Sequence, residues 1–304
     1  MHPGTDPVSR GILPPPVRFG GRGGTDIHAP VLRTVARPHR PIHRIAIALA
    51  FAAILAGPFG QPAPTRAATV DTASVMAADF TAWLSRDRVA AGLVPIRSWS
   101  ALSAIATPRA GRMAASGTLS HTAAGGNVGP VLTAAGLTWY GFGEIIGESG
   151  FPWGAQSAAN LYKMWKASAV HHAIMFSASY NYMGIGFVRR SDGTTWASIV
   201  FTESPDHTAP AVHNGVHWRS GTTLHFSWSG RDVPLQTHTA GLRSFDVRYR
   251  VDSGAWKQIR SGTTSTSLTL LNRAHRHWYS VSVRARDRRG NLSRWTTVVR
   301  IWVP

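Results

Sequence analysis

Three side chains able to bind a metal or move a proton each follow a short, distinctive signature. His121 closes Gly117-Thr118-Leu119-Ser120-His121, Glu144 follows Gly143, and His171 closes Trp165-Lys166-Ala167-Ser168-Ala169-Val170-His171. Two neutral imidazoles and one carboxylate are the ligand set of an open zinc site, where water takes the fourth position and is activated by the metal. Ser168, one helical turn before His171, is a poor direct ligand but an acceptable partner for that water. Glu148, four residues beyond Glu144, is an accessory acid. Each residue also has a plain structural role. His121 can cap a helix end, Glu144 can accept backbone amides, and His171 with His172 can meet a helix C-terminus.

Other chemistries have no support in the chain. It has no phosphate loop, no His-Glu-x-x-His helix and no Gly-x-Ser-x-Gly elbow, so a nucleotide cofactor is not expected. Gly141-Phe142-Gly143 is a weak glycine signal placed before Glu144. With no cysteine among 304 residues, disulfides, thiolate zinc sites and cysteine nucleophiles are excluded together.

Elements that would carry these residues are legible in the periodicity. Met76, Phe80, Trp83 and Leu84 share one helical face that ends at Gly92. Leu102, Ala106, Ala110 and Met113 repeat the pattern, with Pro108 predicting a kink or restart. Leu161, Trp165 and Ser168 line a third helix. Tyr182–Val188 and Trp196–Phe201 read as strands joined through Ser191-Asp192-Gly193. Two prolines bracket a polar break at Glu203–Pro210, taken as a domain boundary. Beyond it, period-two alternation near 223–228, 245–251, 267–271, 278–286 and 295–303 predicts a sandwich of about seven strands.

The ordered series Arg88–Leu93, Leu102/Ala106/Ala110/Met113, Gly117-x-Leu119-Ser120-His121, Gly143-Glu144, Trp165-x2-Ser168-x2-His171 and Gly184-x-Gly186 resembles a bacterial CAP (SCP-like) domain. This is the superfamily of cysteine-rich secretory, antigen-five and pathogenesis-related proteins. Trp228, Tyr249-Arg250-Val251, Trp256 and the run from Tyr279 to Trp295 resemble a fibronectin type III domain whose aromatic positions are core. The resemblance implies an α+β fold: an α-β-α sandwich, then an all-β immunoglobulin-like sandwich. It also implies an open cleft where His121, Glu144 and His171 match two histidines and one acid, often able to bind a divalent metal. Ser168 stands where some members carry a second acid. Ile145, Ile174 and Ser85 stand where amides are common, which makes the cleft drier.

Charge is unevenly distributed. Residues 209–304 hold 15 basic and 4 acidic side chains, against 9 and 8 in residues 69–208, and arginine supplies 29 of the 32 basic residues. An anionic cell-surface polymer is therefore the partner expected at 209–304, while nucleic acid is not favoured. Residues 1–44 read as a disordered basic leader. Residues 45–68, with an apolar run shorter than a membrane span, read as a signal peptide or membrane anchor. The expected organisation is completed by a CAP-like domain at 69–204 and the fibronectin-like domain at 209–304. Together these features predict an exported or membrane-tethered protein of the cell envelope acting mainly by binding, with zinc or another divalent metal, a lipid or a peptide in the cleft. A metal-assisted hydrolase using His121, Glu144 and His171 is the alternative, and a structural envelope protein the second.

Overall fold

The computed structural model describes residues 72–304. The leader, the apolar run and the start of the first expected domain lie outside the described residues. Met76, Phe80, Leu84 and Arg88 recur every four residues and form the buried stripe of α1 (Thr72–Ala90). Gly92, at φ +76°, supplies the left-handed residue that ends it. In α2 (Ser100–Ser116), Leu102, Ala106, Ala110 and Met113 are buried as their spacing predicts, and Pro108 does not restart the helix.

Four strands, β1 (Arg97–Ser98), β2 (Gly141–Ser149), β3 (Tyr182–Arg189) and β4 (Thr195–Glu203), form one sheet in the order β1-β3-β4-β2, with only β1 and β3 parallel. Side chains alternate between two helical layers. Ile145, Met183, Ile185, Phe187, Ala197, Ile199 and Phe201 pack on α1 and on α4 (Ala155–Ala167). Ile146, Tyr182, Trp196 and Val200 face α2 and α3 (Val128–Ala134). An α-β-α sandwich results. Each large apolar side chain taken fully out of water contributes about 1.5–3 kcal/mol. The pair Gly184 and Gly186 has a direct cause: a Cβ on either would collide with the backbone of α2, at Leu102–Ser103 and Ala106–Thr107.

The second half is all-β. Its seven strands are β5 (Ala211–Ser220), β6 (Thr223–Arg231), β7 (Leu242–Val251), β8 (Lys257–Thr263), β9 (Ser267–Leu270), β10 (His277–Asp287) and β11 (Val299–Val303). They form sheets β5-β6-β9 and β11-β10-β7-β8 around one core that contains Phe226, Trp228, Phe245, Val247, Val281 and Val283. Two aromatic positions depart from the core expectation. Trp256 and Trp295 do not belong to that core, and lie instead against arginine side chains of β7 and β10.

The segment between β4 and β5 is not a free linker. Ser204, Pro205 and Asp206 are buried, and Tyr182 Oη donates to Asp206. Leu235, from the β6–β7 loop, joins the cluster formed by α2 and α3. The same loop accepts from Val94 N at Gln236 Oε1 and from Asn181 Nδ2 at Thr237 O.

Candidate functional site

Helix α2 builds the first wall of the site. Gly117 ends it at φ +65°, and Leu119 plugs into the cluster of Met113, Ile146 and Trp196. The next turn is held by Ser120, whose Oγ accepts from Ala123 N, and by two arginines reaching out of α2. Arg112 Nε donates to Ala124 O at 2.7 Å and Arg109 Nη2 to Gly126 O at 2.6 Å. His121 stands in this turn, with its side chain 42% exposed.

Glu144 lies on β2, an edge strand of the sheet, and faces α2. Its neighbour Gly143 is small because a Cβ there would press on Tyr180 Oη and on Ile174. The buried guanidinium of Arg109 grips the carboxylate at both oxygens, Nε to Oε1 and Nη2 to Oε2, each at 2.6 Å. Ser198 Oγ donates to Oε1 at 2.7 Å, and His121 Nδ1 lies 2.8 Å from Oε2. Burial by itself would push this carboxyl up, but the hydrogen bonds from His121 and Arg109, together with the charge of Arg109, hold it down at about 2. An ionised carboxylate only accepts, so His121 Nδ1 carries the hydrogen of this bond and Nε2 is left facing away from Glu144.

The second histidine comes from the opposite helical layer. Helix α4 ends at Ala167, and Ser168 is the hinge residue before α5 (Ala169–Met175), not the last turn of α4 as its spacing suggested. Its hydroxyl leaves the α5 N-terminus uncapped and lies 2.8 Å from His171 Nδ1. Ser168 thus does for His171 what Glu144 does for His121, without charge. Burial, reinforced by the nearby His121, holds the His171 imidazolium pKa below its usual value. The far end of α5 is pinned by Arg88, whose guanidinium donates to Met175 O, Ser177 O and Tyr180 O as well as to Val94 O.

Of the residues singled out in the sequence, the structure thus joins His121 directly to Glu144 and Ser168 directly to His171, and sets the two imidazoles close enough to influence each other's charge. Glu148 does not join them. Four residues along an extended strand from Glu144, it lies about 13 Å away. Glu144 is also a poor direct metal ligand, because its lone pairs are already directed at Arg109, Ser198 and His121. Sequence reasoning missed Arg109 and Ser198. The signal for Arg109 was present: it sits on the apolar stripe of α2, four residues before Met113, where a charge must find a partner.

Among the described residues, one group of three carboxylates brings its oxygens within 4.8 Å of one another: Asp206, Asp232 and Asp287, at the junction of the two halves. These are tied down by backbone donors, from Thr208 and Ala240 to Asp206, from Val233 and Gly241 to Asp232, and from Asn291 to Asp287.

No family model matches the chain, and no curated protein matches it. Solved structures similar to it include an outer surface protein of Borrelia burgdorferi, at 16% identity and a TM-score of 0.39 over 44% of this chain and 96% of that one. A cysteine-rich secretory protein of Staphylococcus aureus is similar at 18% identity and a TM-score of 0.36, over 44% of this chain and 40% of that one. A human fibronectin type III domain is similar at 20% identity and a TM-score of 0.24, over 33% of this chain and 87% of that one.

Proposed function

We propose that this is an exported binding protein of the cell envelope whose cleft takes its ligand on the Nε2 atoms of His121 and His171. The carrying observation is that each ring is anchored through Nδ1, one by Glu144 and one by Ser168, the arrangement by which outer groups orient metal-binding histidines. Two imidazoles suit a borderline cation such as zinc, which when bound would polarise a ligand or water at its open positions. The chain's own part is to keep His121 in the right tautomer, to keep His171 uncharged by burial, and to fix both rings on rigid elements. Glu144 and Ser168 support this reading as positioning residues. A hydrolase in which Glu144 is itself a ligand has less support, since Arg109 neutralises that carboxylate. Among the described residues no helix is long and apolar enough to cross a membrane.

Zinc titration of the full-length protein by calorimetry tests the reading. One zinc per chain is expected, lost in His121→Ala/His171→Ala and weakened about 10- to 100-fold in Glu144→Gln. Unchanged zinc binding in the double histidine variant would contradict it.

A further inference from the structure

The outer face of the β11-β10-β7-β8 sheet carries a charge that the protein does not neutralise. Even-numbered residues of β10 and β7 point outward there, since Val247, Tyr279, Val281 and Val283 fill the core. The register sets Arg248 beside Ser282, Arg250 beside Ser280, Arg284 beside Asp246 and Arg300 beside Ser280.

The arginines are interleaved with tryptophans. Arg250 lies 4.7 Å from the ring centroid of Trp256, Arg248 lies 4.4 Å from Trp256 and 4.2 Å from Trp295, and Arg284 lies 4.7 Å from Trp295. This stack holds three guanidiniums in fixed planes. Asp246 is the face's carboxylate, and it is engaged by Arg284 at 2.9 Å and Arg286 at 3.8 Å. Among the described residues, Arg248 and Arg250 have rings for neighbours and no acceptor. The Nε atoms of both are covered without a hydrogen bond, and so is the hydroxyl of buried Ser280 between Arg250 and Arg300. Repulsion from Arg284 and Arg250 adds to burial in lowering the pKa of Arg248.

Trp256 and Trp295 each carry two arginines within 5 Å of the ring centroid, which crowds the platform that a nucleobase of a single strand would need. At the end of the same face, Trp278 and Trp302 are 40% and 38% exposed, with ring centroids 5.5 Å apart, and a single arginine, Arg300, lies 4.8 Å from the Trp278 centroid.

We propose that this face docks a linear acidic polysaccharide, its carboxylate or phosphate groups bridging Arg248 and Arg250 and its sugar rings lying on Trp278 and Trp302. The guanidinium fork matches either oxyanion, and charge complementarity selects the occupant. The proposal is independent of the histidine cleft.

The test uses full-length protein and four immobilised probes: polygalacturonate for carboxylate, dextran phosphate for phosphate, neutral dextran and poly(dT). Binding to one or both acidic polymers, but not dextran, is expected. Arg248→Gln/Arg250→Gln should weaken it about tenfold or more. Arg219→Gln/Arg231→Gln, the same change in charge on exposed residues of the other sheet, should weaken it less than about twofold. If the glutamine pair fails to fold, Arg248→Lys/Arg250→Lys keeps the charge and should still lose several-fold through loss of the fork. Equal losses in the two glutamine pairs, no binding to either acidic polymer, or tighter binding to poly(dT) would each overturn the proposal.

Discussion

In the helical half Arg88 and Arg109 close on oxygen acceptors, whereas in the β half Arg248 and Arg250 stack on indole rings. Arg109 meets Glu144 and Gly126 O, and Arg88 meets four backbone carbonyls; both guanidiniums are buried. Arg248 lies over both Trp256 and Trp295 and Arg250 over Trp256, at partly exposed positions, and neither touches a carboxylate. A charge matched inside the fold positions its neighbours, and its loss is felt as instability. A charge held rigid but unmatched leaves its electrostatic demand to something outside, and its loss is felt as weaker association.

The sharpest way to break this comparison is to truncate one arginine of each kind. Arg109→Ala leaves Glu144 buried without its cation and is expected to destabilise the protein by about 3–5 kcal/mol in denaturant unfolding. Arg248→Ala loses ring contacts only and should cost about 1 kcal/mol or less. Similar costs for the two would erase the distinction.

Acid titration sharpens the same point. The Glu144 carboxyl is held at about 2, against an ordinary value of 4.5. Its contribution, about 3 kcal/mol, is therefore fully present above the ordinary value and lost as pH falls from there toward 2. Replacing Glu144 by Gln should flatten stability across that window in urea melts. His171 adds a smaller effect of the same sign. Its lowered pKa means that stability is lost as pH falls below the ordinary 6.5, and His171→Gln should remove that slope.

Next in size is Arg88→Met, which keeps the apolar bulk of the stripe but strands the carbonyls of Met175 and Ser177. About 2 kcal/mol is expected, with the end of α5 showing faster amide exchange. Smallest is the response to salt. Between 0.05 and 0.5 M sodium chloride, unfolding midpoints governed by the Arg109–Glu144 pair should barely move, while retention on an acidic polymer should fall steeply.

Much of the helical layer was legible because burial there follows a simple period. Met76/Phe80/Leu84 and Leu102/Ala106/Ala110/Met113 mark their helices directly, and Gly92 marks the end of the first. Strand β2 was not, since Gly141, Gly143 and Gly147 interrupt its alternation. Those at 143 and 147 exist to admit Tyr180 and Ile174 on one hand, Leu161 and Trp165 on the other, partners distant in sequence. Ser168 looked helical because its spacing from Trp165 is helical, yet the chain changes direction there between α4 and α5.

The β half shows a different limit. Alternation identifies apolar positions but treats every tryptophan as one, so Trp256 and Trp295 were assigned to the core along with Trp228. Their neighbours Arg248, Arg250 and Arg284 come from β7 and β10, whereas Trp256 and Trp295 stand in the segments before β8 and β11, so no local pattern brings them together. The buried passage from Ser204 to Asp206 and the insertion of Leu235 are equally nonlocal. A Pro-bracketed polar stretch carries no local sign that a distant loop will cover it.

The central claim is that Glu144 and Ser168 orient two imidazoles whose Nε2 atoms face a ligand, and histidine ring 15N NMR of the full-length protein tests it most directly. The account predicts His121 in the Nδ1–H tautomer at neutral pH, with the Nε2 resonances of both His121 and His171 shifting on addition of one equivalent of zinc. A His121 ring protonated on Nε2 instead, or zinc leaving both resonances where they were, would contradict it.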